Sequence, residues 1–194
     1  MRDFWLCFVP LFVAVDAMGV TPMFVGLTEG LSGPRLHRII LQSLVVALAV
    51  GLLFLAVGKA VLALLGVSIA DFMVAGGTLL FVLSVRDLVT VEKTERQVDP
   101  DSLGAVPLGV PLIAGPAVLT TSLLLLNQHG IVPTAAALTV NVLIAGGLFW
   151  VSPGLNRVLG KAGSKALSKL ASLLLAAIGV MIVRRGIEML LAGA

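Results

Sequence analysis

Long apolar runs separated by short polar breaks make up this chain. Windows of about 19 residues pick out apolar segments near 4–27, 38–65, 69–89, 103–128, 131–153 and 166–192. The runs are rich in Leu, Ala, Val and Gly and show no period-two alternation, so they read as helices and not as strands of a barrel. A hydrocarbon core of about 30 Å takes about 20 residues at 1.5 Å rise, and each run is long enough to cross it. The breaks carry turn chemistry: Glu29-Gly30-Leu31-Ser32-Gly33-Pro34, Leu65-Gly66-Val67-Ser68, the polar stretch from Glu92 to Ser102, Asn127 to Pro133, and Ser152 to Ser164. The pattern predicts an all-α membrane protein with six transmembrane helices.

Composition strengthens this reading. Of 194 residues, 59% are hydrophobic and 12% charged, and the mean hydropathy is +1.13, far outside the soluble range. Six spans with short loops leave no residues for a soluble domain. Arg2 precedes the first run as in a signal peptide, but the run continues to Leu27 without a small-residue cleavage pattern, so it reads as a retained helix. The single Cys7 excludes an intrachain disulfide or dithiol relay.

Charge then orients the helices. The net charge is +3, yet the basic residues sit between apolar segments, where they serve topology and anionic headgroups, so no nucleic-acid partner is expected. Arg35, Arg38, Arg86, Lys93, Arg96, Arg157, Lys161, Lys165 and Lys169 fall at the connections after the first, third and fifth segments. Arg2, Lys59, Arg184 and Arg185 fall on the other side. The positive-inside rule places those three connections in the cytoplasm and both termini outside a bacterial-type inner membrane.

Two segments are interrupted at matching places. The first reads Val13-Ala14-Val15-Asp16-Ala17-Met18-Gly19-Val20-Thr21-Pro22, the fourth Val106-Pro107-Leu108-Gly109-Val110-Pro111-Leu112-Ile113-Ala114-Gly115-Pro116. About twelve residues precede each interruption, or about 18 Å of helix, which is close to the bilayer midplane. Matching breaks point to an internal repeat: residues 1–89 form one three-helix half, 90–102 a polar cytoplasmic loop, and 103–194 the second half. Three spans per half force the second to run inverted to the first. Val85-Arg86 and Val183-Arg184 close the halves similarly.

A mid-span Pro frees a carbonyl that lipid cannot hydrate, so such backbone should line a buried or wet cavity. Pro22 and Pro116 suit the first position of a new half-helix, whose N–H groups attract a carboxylate. Thr21, Thr120, Thr121 and Ser122 add hydroxyls beside those ends. Asp16 is the one acid near a bilayer centre, where insertion costs about 2.5–3.5 kcal/mol, so it should meet a cation, a proton or a donor, or cap the half-helix starting near Gly19 or Pro22. Gln42, Ser43, Thr78, Ser84, Thr139 and Asn141 read as interhelical hydrogen-bonding groups, and Gly76-Gly77 and Gly146-Gly147 as close-packing positions. His37 and His129 read as isolated loop residues without metal spacing, and Asp71, Asp87, Glu92 and Glu95 as solvated loop charges.

These residues carry a resemblance. Phe12-Val13-Ala14-Val15-Asp16 with Gly19 and Pro22, Leu27-Thr28-Glu29-Gly30-Leu31-Ser32, Ala75-Gly76-Gly77, and Val106-Pro107-Leu108 through Pro111, Ala114-Gly115-Pro116 and Thr120 resemble the MarC family of integral membrane proteins over the whole chain. The resemblance implies six spans, extracytoplasmic termini, and transport, as export, of small neutral amino acids or related solutes. The sequence departs from the family pattern where Ala17 follows Asp16 and Val20 follows Gly19, positions where the family has Pro and Asn, and where Ala117 replaces a common Gly.

The expected function is a secondary transporter binding a small zwitterion where segments 1 and 4 cross. Its carboxylate would meet the N–H groups after Gly115-Pro116, beside Thr120 or Thr121. Asp16 would take the ammonium group or a coupling proton, with Gly19, Thr21, Pro22 and Pro111 shaping the site. No nucleotide-binding motif, cofactor or metal cluster is present in the sequence. An enzyme would need a clustered nucleophile, base or metal set, which the spans lack. A noncatalytic assembly subunit whose interrupted helices only pack is the alternative. Homo-oligomerisation stays open.

Overall fold

In the computed structural model the described residues are 2–28, 31, 33–89 and 103–192. The expected loop at 90–102, with Glu92, Lys93, Glu95 and Arg96, lies outside them, as do the side chains of Asp87, Arg157, Lys161 and Lys165. Among the described residues all regular structure is helical: α1 (Arg2–Val15), α2 (Ala17–Leu27), α3 (Pro34–Leu65), α4 (Ile69–Val89), an irregular wide-turned segment (Gly104–Ile113), α5 (Pro116–His129) and a helical run α6 (Ile131–Ala192). Arg2–Leu27, Pro34–Leu65, Ile69–Arg86 and Ile131–Ser152 are each long and apolar enough to cross a membrane. Gly104–Ile113 and Pro116–His129, bent by 52° at their junction, make a fifth span if counted as one.

Local chemistry fixes the ends. Pro34 occupies the first turn of α3 behind Gly33 at φ 60°, so the helix starts four residues before the expected 38 and takes His37 into its first turn. Gly66, left-handed at φ 66°, ends it, with Val67 N–H returning to Leu62 O at 2.9 Å. Ser68 and Asp71 then form a reciprocal cap. The Ser68 N–H and hydroxyl both donate to the Asp71 carboxylate, and Asp71 N–H donates to Ser68 Oγ. Asp71 is therefore a first-turn residue of α4 and not a loop charge. His129 likewise ends α5 and lies 3.6 Å from Asp3.

A straight helix of 62 residues would be about 93 Å long, but the contacts of α6 fold it back. Thr134, Asn141 and Phe149 meet Cys7, Phe8 and Phe24 in step, so this part runs parallel to α1 and α2. It runs against α3, with Leu138 on Gly51 and Gly146 on Leu44. Farther on, Lys169 donates to Leu88 O, Gly179 meets Gly77, and Gly186 meets Ala70, so residues 169–186 run against α4. Because α3 and α4 are themselves antiparallel, the chain reverses between Ser152 and Lys169. One end of the bundle gathers Asp3, His129, Lys59 and Asn127, and the other gathers Leu88 and Lys169.

Lipid offers no hydrophobic drive between helices, so close contact and stacking must hold them together. Phe24 stacks on Phe149 at 4.3 Å and His37 on Trp150 at 4.4 Å, and an aromatic pair contributes about 0.5–1.5 kcal/mol beyond its area. Gly76, Gly77 and Gly146 sit at close approaches as expected, whereas Gly147 faces open space. The polar residues mostly do not bridge helices. Ser43, Thr78, Ser84 and Thr139 donate to carbonyls of their own helix, because the carbonyl one turn back is always within reach. Asn141 does bridge, donating to Phe8 O at 3.1 Å as well as to Ala137 O. Gln42 places Oε1 beside Gly104. Cys7 is buried 3.7 Å from Thr134 Oγ1; since that hydroxyl donates to Gly130 O, the thiol is the donor of the pair.

Candidate functional site: two interruptions on one cavity

At the first interruption a single residue, Asp16, turns the chain. It is left-handed (φ 44°, ψ 49°), a conformation Asp tolerates because its short side chain bonds locally. Its Oδ1 accepts the Gly19 N–H at 3.2 Å, its own N–H donates to Phe12 O, and its carbonyl accepts the Val20 N–H at 2.9 Å. The kink thus leaves few groups unpaired. Gly19 is required beside it, because a Cβ there would strike the Asp16 carboxylate. Asp16 therefore caps α2, which starts at Ala17. Pro22, expected at the first position of a half-helix, lies inside α2 instead, since the cap comes one turn earlier. Lacking an N–H, Pro22 leaves the Met18 carbonyl free, while Thr21 donates to Ala17 O at 2.6 Å.

The second interruption is longer. Val106 and Val110 are extended, and each precedes a cis peptide bond, to Pro107 and Pro111. Ala114 N–H reaches back five residues to Gly109 O at 2.9 Å. The segment packs against α3, with Gly104 on Ile39 and Gln42 and Gly109 on Val46. Gly115 is extended, a Cβ there would strike the Pro111 carbonyl, and Pro116 opens α5 at its first position seated on Gly76. No side chain caps α5.

Two sets of hydroxyls differ in their partners. Thr21, Thr28, Thr78, Ser84, Thr134 and Thr139 each donate to the carbonyl four residues back. The hydroxyls of Thr120 and Ser122, in the first turns of α5, are buried without a partner among the described residues. A buried unpaired hydroxyl costs about 1–3 kcal/mol, so these two ask for an explanation.

A cavity of about 890 Å³ lies between α1, α5 and the last part of α6. It gathers Asp16, Thr120, Thr121 and Ala117 from the interrupted segments. Gly19, Thr21, Pro22, Pro111, Gly115 and Pro116 are not among its lining residues. They shape the two turns around it. Asp16 uses one hydrogen bond among the described residues, and a carboxylate has about four acceptor positions, so capacity remains toward the cavity.

Sequence reasoning assigned Arg185 to topology and passed over Glu188, yet both line the cavity. So do Met18, Met73, Met181 and Met189, four of the six methionines, which give an adaptable apolar wall. A signal was present: Ile178, Met181, Ile182, Arg185 and Glu188 recur at the spacing of one helix face.

Relatives bear on this arrangement. The profile described as "MarC family integral membrane protein" matches residues 1–191. A UPF0056 membrane protein of Archaeoglobus fulgidus is 30% identical, the match covering 95% of this chain and 92% of the relative. The UPF0056 inner membrane protein YhgN of Escherichia coli is 30% identical over 94% of this chain and 95% of its own length. The UPF0056 membrane protein YhcE of Escherichia coli is 27% identical over 93% and 90%. No solved structure matches the chain. Its apolar helices and its match from end to end place this chain in the MarC family of integral membrane proteins.

Proposed function

We propose that the chain is a secondary transporter that exports small neutral amino acids or related small solutes, with six spans in two inverted three-helix halves. The observation that carries this reading is the convergence of three elements on one cavity: a half-buried carboxylate with free acceptor capacity, the buried Thr120 hydroxyl, which has no partner among the described residues, and the first turn of α5, which reaches the cavity at Ala117. A zwitterion complements all three. Its carboxylate meets the N–H groups behind Pro116 and the hydroxyl of Thr120 or Thr121, and its ammonium group or a coupling proton meets Asp16. The reversal between Ser152 and Lys169 supports residues 169–192 as a sixth span, which brings both termini to one end of the bundle. The positive-inside rule makes that end extracytoplasmic, and the interruptions then lie near the bilayer midplane.

Flux of labelled neutral amino acids into proteoliposomes, with and without a proton gradient, tests the reading. Flux by the wild type that falls at least tenfold in Asp16→Asn is the expected result. Wild-type flux in that variant removes Asp16 from the mechanism. Absence of flux for every solute by folded, oriented protein favours an assembly subunit.

A further inference from the structure

At the other end of the bundle from the large cavity lies a crevice of about 210 Å³, and its walls repeat those of the cavity with the halves exchanged. The cavity is bounded by the segment before the first interruption (Val13), the helix after the second (Leu124) and the last part of α6 (Ile178, Arg185). The crevice is bounded by the segment before the second interruption (Pro107, Leu112), the helix after the first (Met23, Leu27) and the end of α4 (Leu83, Arg86). The packing between the halves exchanges in the same way. Gly77 and Gly179 each meet the other's carbonyl, and Leu44 on Gly146 is answered by Leu138 on Gly51. Contacts that survive exchange of partners are the mark of a two-fold axis, here one lying in the membrane plane. Such an axis carries a cavity on one side to its equivalent on the other.

We infer that the crevice is the second mouth of the same solute path, narrowed in this structure, and that it takes the same class of ligand, a small solute with hydrogen-bonding ends. This rests on the transporter reading above. Volumes of about 890 and about 210 Å³ for equivalent spaces mean that the halves are related in sequence of elements but not in conformation. Exchange of the two conformations opens the crevice and narrows the cavity. The mutual contact of Gly77 and Gly179 is the place about which the halves exchange, because a backbone-to-backbone approach has no side chain to repack.

The test needs no solute. In a Cys7→Ser background, Leu124→Cys reports on the cavity and Leu83→Cys on the crevice, with Met23→Cys as a second crevice reporter should Leu83→Cys fail to fold. A membrane-impermeant maleimide is applied to either face of sealed, oriented vesicles. Leu124→Cys should react from the face carrying the termini, and the crevice reporter at least tenfold more slowly from the opposite face. A bifunctional thiol reagent joining Val13→Cys to Ile178→Cys, used before labelling, then holds the cavity narrow. The crevice reporter should accelerate at least tenfold. An unchanged rate overturns the inference even where flux is observed, whereas reciprocal labelling without flux for any solute leaves the two mouths standing and removes the transport reading.

Discussion

The interruption at Asp16 and the one before Pro116 are built in opposite ways. At the first, one residue turns the chain and its side chain and backbone pair nearly every group the turn exposes. At the second, the backbone is irregular over Gly104–Ile113 and the helix that follows has no side-chain cap. The surroundings explain the difference. Val13 and Met18, flanking Asp16, are 71% and 70% exposed, whereas residues 111–116 are all buried. Unpaired backbone costs several kcal/mol away from water; the turn at Asp16, between the cavity walls Val13 and Met18, pairs its own groups, while the buried one is covered by α3.

Four substitutions test that contrast. Gly76→Val should have the largest effect, because a Cβ there already overlaps the Pro116 ring. Overpacking of this kind costs about 3 kcal/mol, read as a lowered unfolding midpoint in detergent; an unshifted midpoint would mean that α5 does not seat on α4. Asp16→Ala removes both the cap and the residue suited to the left-handed turn, and should cost about 1–2 kcal/mol. Asp16→Asn keeps both and should stay within about 0.5 kcal/mol of the wild type. Equal stability of the two variants would break the claim that the side chain closes the first turn. Thr120→Val should be the mildest for folding. It removes a hydroxyl with no protein partner, so stability should hold or rise by about 1 kcal/mol while solute affinity in a binding assay falls. A clear loss of stability would show that the hydroxyl is paired within the protein.

Much of this was legible in the sequence because apolar length and Gly-Pro punctuation act locally. Both interruptions and the place of Pro116 at the start of α5 follow from residues within one or two turns, whereas the cavity that gathers Asp16, Thr120 and Thr121 is closed by the distant last part of α6. Pro22 misled, since it lies in the second turn of α2, where it leaves the Met18 carbonyl free, and only the left-handed backbone of Asp16 identifies the true cap. The unwinding of 104–113 exceeds what its two internal prolines demand; it also depends on Gly104 and Gly109 fitting against α3, a contact some 60 residues distant in sequence. Arg185 was hidden because a cation at a helix end is ordinarily read as an orientation signal, and Glu188 because only its spacing on the same helix face ties it to the cavity.

The unwound segment also bears on how the protein enters the membrane. A stretch whose backbone departs from a regular α-helix, as at Val106 and Val110, is a poor candidate for release into lipid as it leaves the insertion machinery. Residues 104–113 find their cover on α3, made earlier in the chain, so that helix acts as an intramolecular receptacle for the later segment. Order of synthesis and order of shielding then coincide. A chain with residues 104–113 placed ahead of α3 would present the irregular segment before anything existed to receive it.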